Sequence, residues 1–127
     1  MKVDVAITGG RVFSASGGKD LDVLISGEKI TAVVEPNSEG IEATKTIDAT
    51  GLWVLPGMVD PHVHTREPGH THKEDILTCS QASAAGGVTT IFGMPNLKPA
   101  TLTHKDLVDV LELYAEKCLV DYNHNTV

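Results

Sequence analysis

Apolar and polar residues alternate along the first fifty residues, with the two-residue period of a β-strand that buries one face. The apolar positions of the first such strand are Val3, Val5 and Ile7. Two later apolar stretches, 21–26 and 29–34, are joined by two residues beginning with Gly27, which favours a tight hairpin. We therefore predict a small antiparallel β unit over residues 1–51, and it offers no candidate catalytic group.

The pattern changes at residue 52, where a nearly continuous apolar run extends to residue 59. Such a run is typical of a strand that is buried on both faces. Strand-like runs recur at 88–92 and 119–122, with a stretch of helical character before each. Strand, helix, strand, helix and strand in this order predict a parallel sheet with helical crossovers over residues 52–127.

Capping signals indicate where the two helices begin. Thr71 and Glu74 fit a capping box, and we predict a helix from there to Ala85, ended by two glycines. Thr103, with Asp106 three residues later, marks the start of the second helix. The predicted buried side of this second helix carries Leu107, Leu111, Tyr114 and Cys118.

A doubly wound sheet and a (β/α)₈ barrel both begin with this alternation of strands and helices. The turn after the first parallel strand is not glycine-rich, and its polar residues are His and Arg, which argues against dinucleotide binding. We therefore expect an α/β chain that begins a TIM-type barrel. Because such barrels contain about 250 residues, we also expect this chain, which ends at Val127, to be the N-terminal part of a longer protein.

Composition and charge exclude several classes of partner. Seventeen acidic residues against ten basic ones give a net charge of −7, and the scattered basic residues argue against nucleic-acid binding. No apolar run approaches the ~20 residues of a membrane span. Cys79 and Cys118 are too few for a disulfide framework, so we expect a reduced, cytoplasmic protein.

The strongest candidates for metal binding are His62 and His64, at the end of the first predicted parallel strand. Residues two apart in an extended chain point to the same side, so both imidazoles can reach one ion. Chance placement of two solvated histidines is the alternative, because a catalytic zinc takes three or more protein ligands. The other histidines are His70, His72, His104 and His124. The first three are expected to be solvated, and His124, at a strand end, is the strongest further candidate.

The segment 56–69, PGMVDPHVHTREPG, resembles the N-terminal signature of the amidohydrolase superfamily, and more narrowly of dihydroorotases and their cyclic-amide relatives. The sequences GGVTT at 86–90 and MPN at 94–96 extend the resemblance. It implies one or two divalent ions, expected to be Zn²⁺, with His62 and His64 as ligands. It also implies that residues 1–51 are the first part of a small β-sandwich.

The resemblance also implies two substrate-binding residues. Dihydroorotases use an Arg two places after H-x-H and an Asn after the second strand to bind the substrate carboxylate, and Arg66 and Asn96 occupy these positions. A planar guanidinium offers a carboxylate two parallel donors, and an amide adds another. The alternatives are a surface charge at Arg66 and a turn former at Asn96. Hydantoinases and allantoinases usually differ at the Arg, yet the sequence DYNH at 121–124 is closer to hydantoinases.

The function implied is the reversible hydrolysis of dihydroorotate to N-carbamoyl-aspartate in pyrimidine biosynthesis. The expected partner is a small molecule, and the full-length protein is expected to be a homo-oligomer. The remaining ligands and the general base are expected beyond Val127, on later strands, so we assign no catalytic residue to this chain and expect it to be inactive alone. The alternatives are a hydantoinase, dihydropyrimidinase or allantoinase and, in another class, a non-catalytic assembly partner.

Overall fold

A computed structural model describes residues 1–126 of the chain. The strands are β1 (Lys2–Thr8), β2 (Arg11–Ser14), β3 (Gly17–Asp20), β4 (Asp22–Ser26), β5 (Lys29–Val34), β6 (Glu42–Asp48), β7 (Trp53–Val54), β8 (Met58–Val63), β9 (Val88–Gly93) and β10 (Asp121–His124). The helices are α1 (Ile76–Ala85) and α2 (His104–Lys117). Neither helix in the described residues is long and apolar enough to span a membrane.

The chain forms two compact units, Met1–Pro56 and the part from Gly57 onward. This division lies a few residues after the predicted one, which assigned residues 1–51 to the β unit and 52–127 to the barrel region. Val127, the last residue of that predicted region, lies outside the described residues.

The first unit contains two sheets, with strand orders β5-β4-β1-β6 and β3-β2-β7. The predicted hairpin is present, since β4 and β5 pair antiparallel across a turn in which Gly27 has a φ of 58°. The prediction of an antiparallel unit over residues 1–51 is correct for the pairings β1–β4, β4–β5 and β2–β3, but wrong for β1 and β6, which pair in parallel. After β5 the chain crosses to the opposite edge of the sheet, where β6 runs in the same direction as β1.

The predicted apolar strand over residues 52–59 is two strands separated by Leu55, Pro56 and Gly57. The first of them, β7, pairs with β2, whereas β8 pairs with β9. Burial on both faces is also wrong for the described residues, because Met58 and Val59 at the start of β8 are 55% and 60% exposed.

The second unit confirms the predicted alternation of strands and helices. Its sheet has the order β10-β9-β8, both pairings are parallel, and the connections contain α1 and α2. The predicted end of α1 at Ala85 is correct, but the predicted start at Thr71 is wrong. Asp75 is the N-cap, and its carboxylate accepts the Thr78 N–H at 2.7 Å. A backbone hydrogen bond from Lys73 to His70 closes a separate turn before the helix.

Helix α2 supplies much of the core of this unit. Its predicted capping box is present, with Thr103 as N-cap and Asp106 as its partner. The buried core consists of Ile76, Ile91, Leu97, Val110 and Tyr114. The sequence pattern identified Tyr114 and missed Val110, and the other predicted positions of α2 are only partly buried.

Gly93 ends β9 at a point where no side chain fits. A Cβ at this position would collide with the Tyr114 hydroxyl and the His124 ring. We expect Gly93→Ala to lower the free energy of unfolding by about 1–3 kcal/mol or more, because overpacking forces the neighbours apart. The urea midpoint of the full-length protein measures this loss.

Gly86→Ala is the matched control, since its added Cβ would lie no closer than 3.4 Å to its neighbours and its backbone is right-handed. We expect it to change the free energy of unfolding by less than about 1 kcal/mol. Equal midpoints for the two variants would contradict the close packing of Gly93.

Candidate metal and substrate site

His62 and His64 lie where β8 ends, at the C-terminal edge of the parallel sheet. Their ring centroids are 5.2 Å apart and the ring planes meet at 71°. Two imidazoles that coordinate one tetrahedral ion at about 2.0–2.1 Å place their centroids roughly 5 Å apart. The pair therefore has a separation compatible with a shared ion, and metal binding itself stays a prediction.

A hydrogen bond links His64 to the end of the neighbouring strand. The Nδ1–H of His64 donates to Oδ1 of Asn96 at 2.8 Å, and the Met94 N–H donates to the Val63 carbonyl at 2.8 Å beside it. A neutral imidazole protonated at Nδ1 leaves Nε2 free to act as a ligand. Asn96 retains its amide NH₂ as a donor. The sequence resemblance implies that Asn96 binds a substrate carboxylate together with Arg66; the structure adds a hydrogen bond from His64, and the carboxylate-binding role stays a prediction.

Arg66 lies two residues beyond His64 and is half-buried. Its φ is 64°, in the left-handed region that a residue with a side chain rarely adopts. Within residues 1–126, its guanidinium makes no hydrogen bond or salt bridge, including none to Asn96. The guanidinium is therefore available to an external anion.

Both neighbours of Arg66 are buried, with Thr65 1% exposed and Glu67 8% exposed. The Thr65 hydroxyl is 2.9 Å from the Tyr114 hydroxyl. One carboxylate oxygen of Glu67 accepts the Ile76 N–H at 3.1 Å, and the other accepts from the Lys117 ammonium. The hydrogen bond to Glu67 raises the pKa of Lys117. Sequence reasoning missed the contacts of Thr65 with Tyr114 and of Glu67 with Lys117. In each contact the two residues are about fifty positions apart, and no short motif links them.

The remaining histidines do not complete a metal site. His72 and His104 are exposed, and His70 lies beside His72 in the loop before α1. In the part of the chain that the structure describes, no group of three or more His, Cys, Asp or Glu side chains could hold a metal. The described residues thus present two candidate ligands, His62 and His64, fewer than a catalytic zinc takes. The general base expected beyond Val127 lies outside the described residues and stays a prediction.

His124 is an interior residue, 5% exposed at the end of β10. Its Nε2 is 3.0 Å from the Thr101 hydroxyl, whereas Nδ1 faces Gly93 and has no hydrogen-bond partner among the described residues. An orphaned acceptor is tolerated better than an orphaned N–H, so the proton belongs on Nε2. Burial lowers the pKa of His124. The ring therefore lies in the core rather than being presented to a ligand.

Comparison with known families decides the wider relationship. Residues 51–119 match the model of the family described as dihydro-orotase-like, and this region is more than half of the chain. The chain belongs to this family. The predicted membership of the amidohydrolase superfamily, close to the dihydroorotases, is thereby confirmed.

This dihydroorotase-like chain has close relatives among curated proteins. It is 46% identical over 113 residues to the dihydroorotase of Streptococcus thermophilus, and this match covers 87% of this chain and 26% of that protein. It is 42% identical over 125 residues to the dihydroorotase of Streptococcus pyogenes serotype M3, covering 97% of this chain and 29% of that protein. The chain therefore spans about a quarter of the length of these relatives.

Similar solved structures include hydantoinases. The L-hydantoinase (dihydropyrimidinase) of Arthrobacter aurescens has a TM-score of 0.88 and 31% identity, with 96% of this chain and 27% of that chain covered. The D-hydantoinase of a Bacillus species, AR9, has a TM-score of 0.77 and 32% identity, with 95% and 26% covered. The mixed α/β architecture is thus shared with cyclic-amide hydrolases.

The lowered pKa of His124 predicts a stability that depends on pH. Above the ordinary pKa of about 6.5 the ring is neutral in the folded and unfolded states, and the stability is fully present. As the pH falls below that value, the unfolded chain takes up a proton that the folded chain accepts only at lower pH, so stability is lost. Urea unfolding of the full-length protein at pH 7.5 and 5.5 measures the loss.

The matched variant for this test is His124→Gln, which cannot titrate in this range and keeps a side-chain amide near Thr101. We expect it to lose less stability between the two pH values than the wild type does. Equal losses would show that His124 does not carry this pH dependence.

Proposed function

We propose that this chain carries part of the active site of a metal-dependent cyclic amide hydrolase, specifically a dihydroorotase of pyrimidine biosynthesis. The reaction is the reversible hydrolysis of dihydroorotate to N-carbamoyl-aspartate. The observation that carries the proposal is the arrangement of His62, His64 and Asn96 at the ends of adjacent strands. Two residues beyond His64, the guanidinium of Arg66 has no partner among the described residues. The identity of 42–46% to curated dihydroorotases supports the same reaction.

The proposed architecture is a (β/α)₈ barrel that begins at β8. Parallel strands β8, β9 and β10, with a helix in each connection, are the repeating unit of that fold. Enzymes with this fold place their sites at the C-terminal ends of the strands, which is where the two histidines lie. In this proposal the β strands of residues 1–51 contribute to a small β-sandwich, and residues 52–127 belong to the barrel region.

His62 and His64 are proposed to hold one divalent ion, expected to be Zn²⁺, in a centre of one or two metals. The hydrogen bond from Nδ1 of His64 to Asn96 supports this role, because ligating imidazoles usually donate their second N–H to a neighbouring acceptor. When bound, such an ion supplies Lewis-acid polarisation and a water of lowered pKa. Asp60 accepts the His62 N–H at 3.0 Å and fixes the backbone of that ligand.

Arg66 and Asn96 are proposed to bind the carboxylate of the substrate. The unpaired guanidinium of Arg66 can donate two parallel hydrogen bonds to a carboxylate, and the amide of Asn96 keeps its NH₂ free to donate. These contacts would orient the ring before attack on its amide, which converts a loose encounter into an aligned one. Catalysis by general acid and base is assigned to residues beyond Val127 rather than to this chain.

A hydantoinase or dihydropyrimidinase is the second candidate, and the similarity to the L-hydantoinase structure favours it. Such enzymes act on rings without the carboxylate, so Arg66 is the residue that separates the two candidates. Under either proposal the partner of the site is a small molecule. Cytoplasmic localisation and homo-oligomeric assembly of the full-length protein stay part of the proposal.

Replacing Arg66 tests the substrate class. In the full-length protein, we expect Arg66→Ala to lower kcat/KM for dihydroorotate by about 10- to 150-fold, because a charge-assisted bidentate contact is lost. Turnover of dihydrouracil, the same ring without its carboxylate, should hardly change. Initial rates with both substrates on one preparation measure the difference.

Lys105→Ala is the control for this experiment, because it removes one positive charge from an exposed position of α2. It should leave both substrates unaffected. Equal losses for both substrates with Arg66→Ala, or a wild type that prefers dihydrouracil or hydantoin, would overturn the dihydroorotase proposal and favour the hydantoinase. Asn96 is less suitable for this test, since its replacement also removes the partner of His64.

Residues 1–127 alone are expected to show no hydrolase activity. Two imidazoles leave a zinc with fewer than the three protein ligands that catalytic sites use, and the general base is proposed to follow this chain. Purified residues 1–127, supplied with Zn²⁺ and dihydroorotate, should therefore react no faster than buffer. Metal-dependent hydrolysis above that background would show that other residues of this chain do the chemistry.

A further inference from the structure

We propose that helix α2 positions Arg66 for substrate binding through two side chains, Tyr114 and Lys117. This inference rests on the proposed function, since it concerns how the carboxylate-binding guanidinium is presented. Neither residue is near Arg66 in the sequence. Tyr114 contacts Thr65 and Lys117 contacts Glu67. Because these two partners flank Arg66, its backbone is held from both sides.

The first anchor is the contact between Tyr114 and Thr65. Both side chains are fully buried or nearly so, with exposures of 0% and 1%, and their hydroxyl oxygens are 2.9 Å apart. A buried hydroxyl without a partner is costly, so each residue depends on the other for its hydrogen bond. The ring of Tyr114 is itself fixed by stacking on Tyr122, with centroids 5.1 Å apart.

The second anchor is the ion pair between Lys117 and Glu67. The Glu67 side chain is 10% exposed and satisfies both carboxylate oxygens, one with the Lys117 ammonium and one with the Ile76 N–H at the start of α1. Tyr114 and Lys117 are three residues apart, which places them on one face of α2. One face of α2 therefore contacts both Thr65 and Glu67.

The residue between these anchors has the unusual backbone. Arg66 has a φ of 64°, and a residue with a Cβ keeps such a conformation only where its surroundings impose it. With Thr65 and Glu67 turned into the interior, Arg66 is the one of the three that is not buried. Its guanidinium has no partner within residues 1–126. The anchors thus hold an unpaired guanidinium ready for an anion, which spares the substrate the cost of ordering it.

The test compares Lys117→Met and Tyr114→Phe with wild type in the full-length protein. Each removes one anchor and keeps most of the packing. We expect KM for dihydroorotate to rise by about two- to tenfold for each, with kcat little changed, as for the loss of one hydrogen bond. The affinity for dihydrouracil, as substrate or competitive inhibitor, should not change. Lys117→Arg, which keeps the charge, should restore the wild-type KM.

Double variants with Arg66→Ala separate positioning from a general structural role. If the anchors act through Arg66, adding Lys117→Met or Tyr114→Phe to Arg66→Ala should raise KM for dihydroorotate no further. Lys105→Met, which breaks the exposed pair with Asp109 on the same helix, is the control and should change KM by less than roughly twofold.

Three results would overturn the inference. The first is an additive increase in KM for dihydroorotate in the double variants. The second is an equal loss of affinity for dihydrouracil, and the third is an unchanged KM for dihydroorotate in both single variants. Each would show that the anchors serve folding alone. These results leave the proposed function intact, provided that wild type hydrolyses dihydroorotate and Arg66→Ala impairs it. A wild type that does not act on dihydroorotate overturns both proposals.

Discussion

The contact between the buried Tyr114 hydroxyl and Thr65 is the interaction that joins helix α2 to the strand ends of the second unit. A tyrosine with no exposed surface must find a partner for its O–H inside the protein, and it finds Thr65, just beyond the end of β8. The same ring packs against Tyr122 and lies beside His124 on β10, and its hydroxyl occupies the space over Gly93 on β9. One side chain of α2 therefore contacts the C-terminal end of all three strands. Burial also raises the pKa of Tyr114 to about 12, so the hydroxyl stays protonated.

The candidate site follows from the direction of the strands. Because β8 and β9 are parallel, the segments that leave them start from the same edge of the sheet, and Asn96 is brought to His64 across thirty-two residues of sequence. The backbone hydrogen bond from Met94 to Val63 holds the two strand ends at this point. The polar residues are thus assembled by regular pairing on one side and by the helix anchors of Thr65 and Glu67 on the other.

Sequence patterns predicted the parts of this structure that depend on interactions between residues close together in the chain. The hairpin at Gly27, the cap at Thr103 and the end of β8 near His62 each depend on a few neighbouring residues. The start of α1 was predicted at the wrong residue because Thr71 and Asp75 both offer an N-cap, and only the fold decides between them. Glu67 takes part in that decision, since it accepts the first N–H of the helix from a position nine residues earlier. The parallel pairing of β6 and the partner of Asn96 are likewise set by tertiary structure.

The hydrogen bond between His64 and Asn96 has a consequence for how such a site can diverge. Asn96 is proposed to face the substrate with its NH₂, while its oxygen orients a proposed metal ligand. Under that proposal, a substitution at this position alters substrate contact and metal retention in one step, and selection for a new substrate would be opposed by loss of the ion. Arg66 makes no such second contact among the described residues. Evolution toward rings without a carboxylate is thus easier through Arg66, with the partner of His64 left in place.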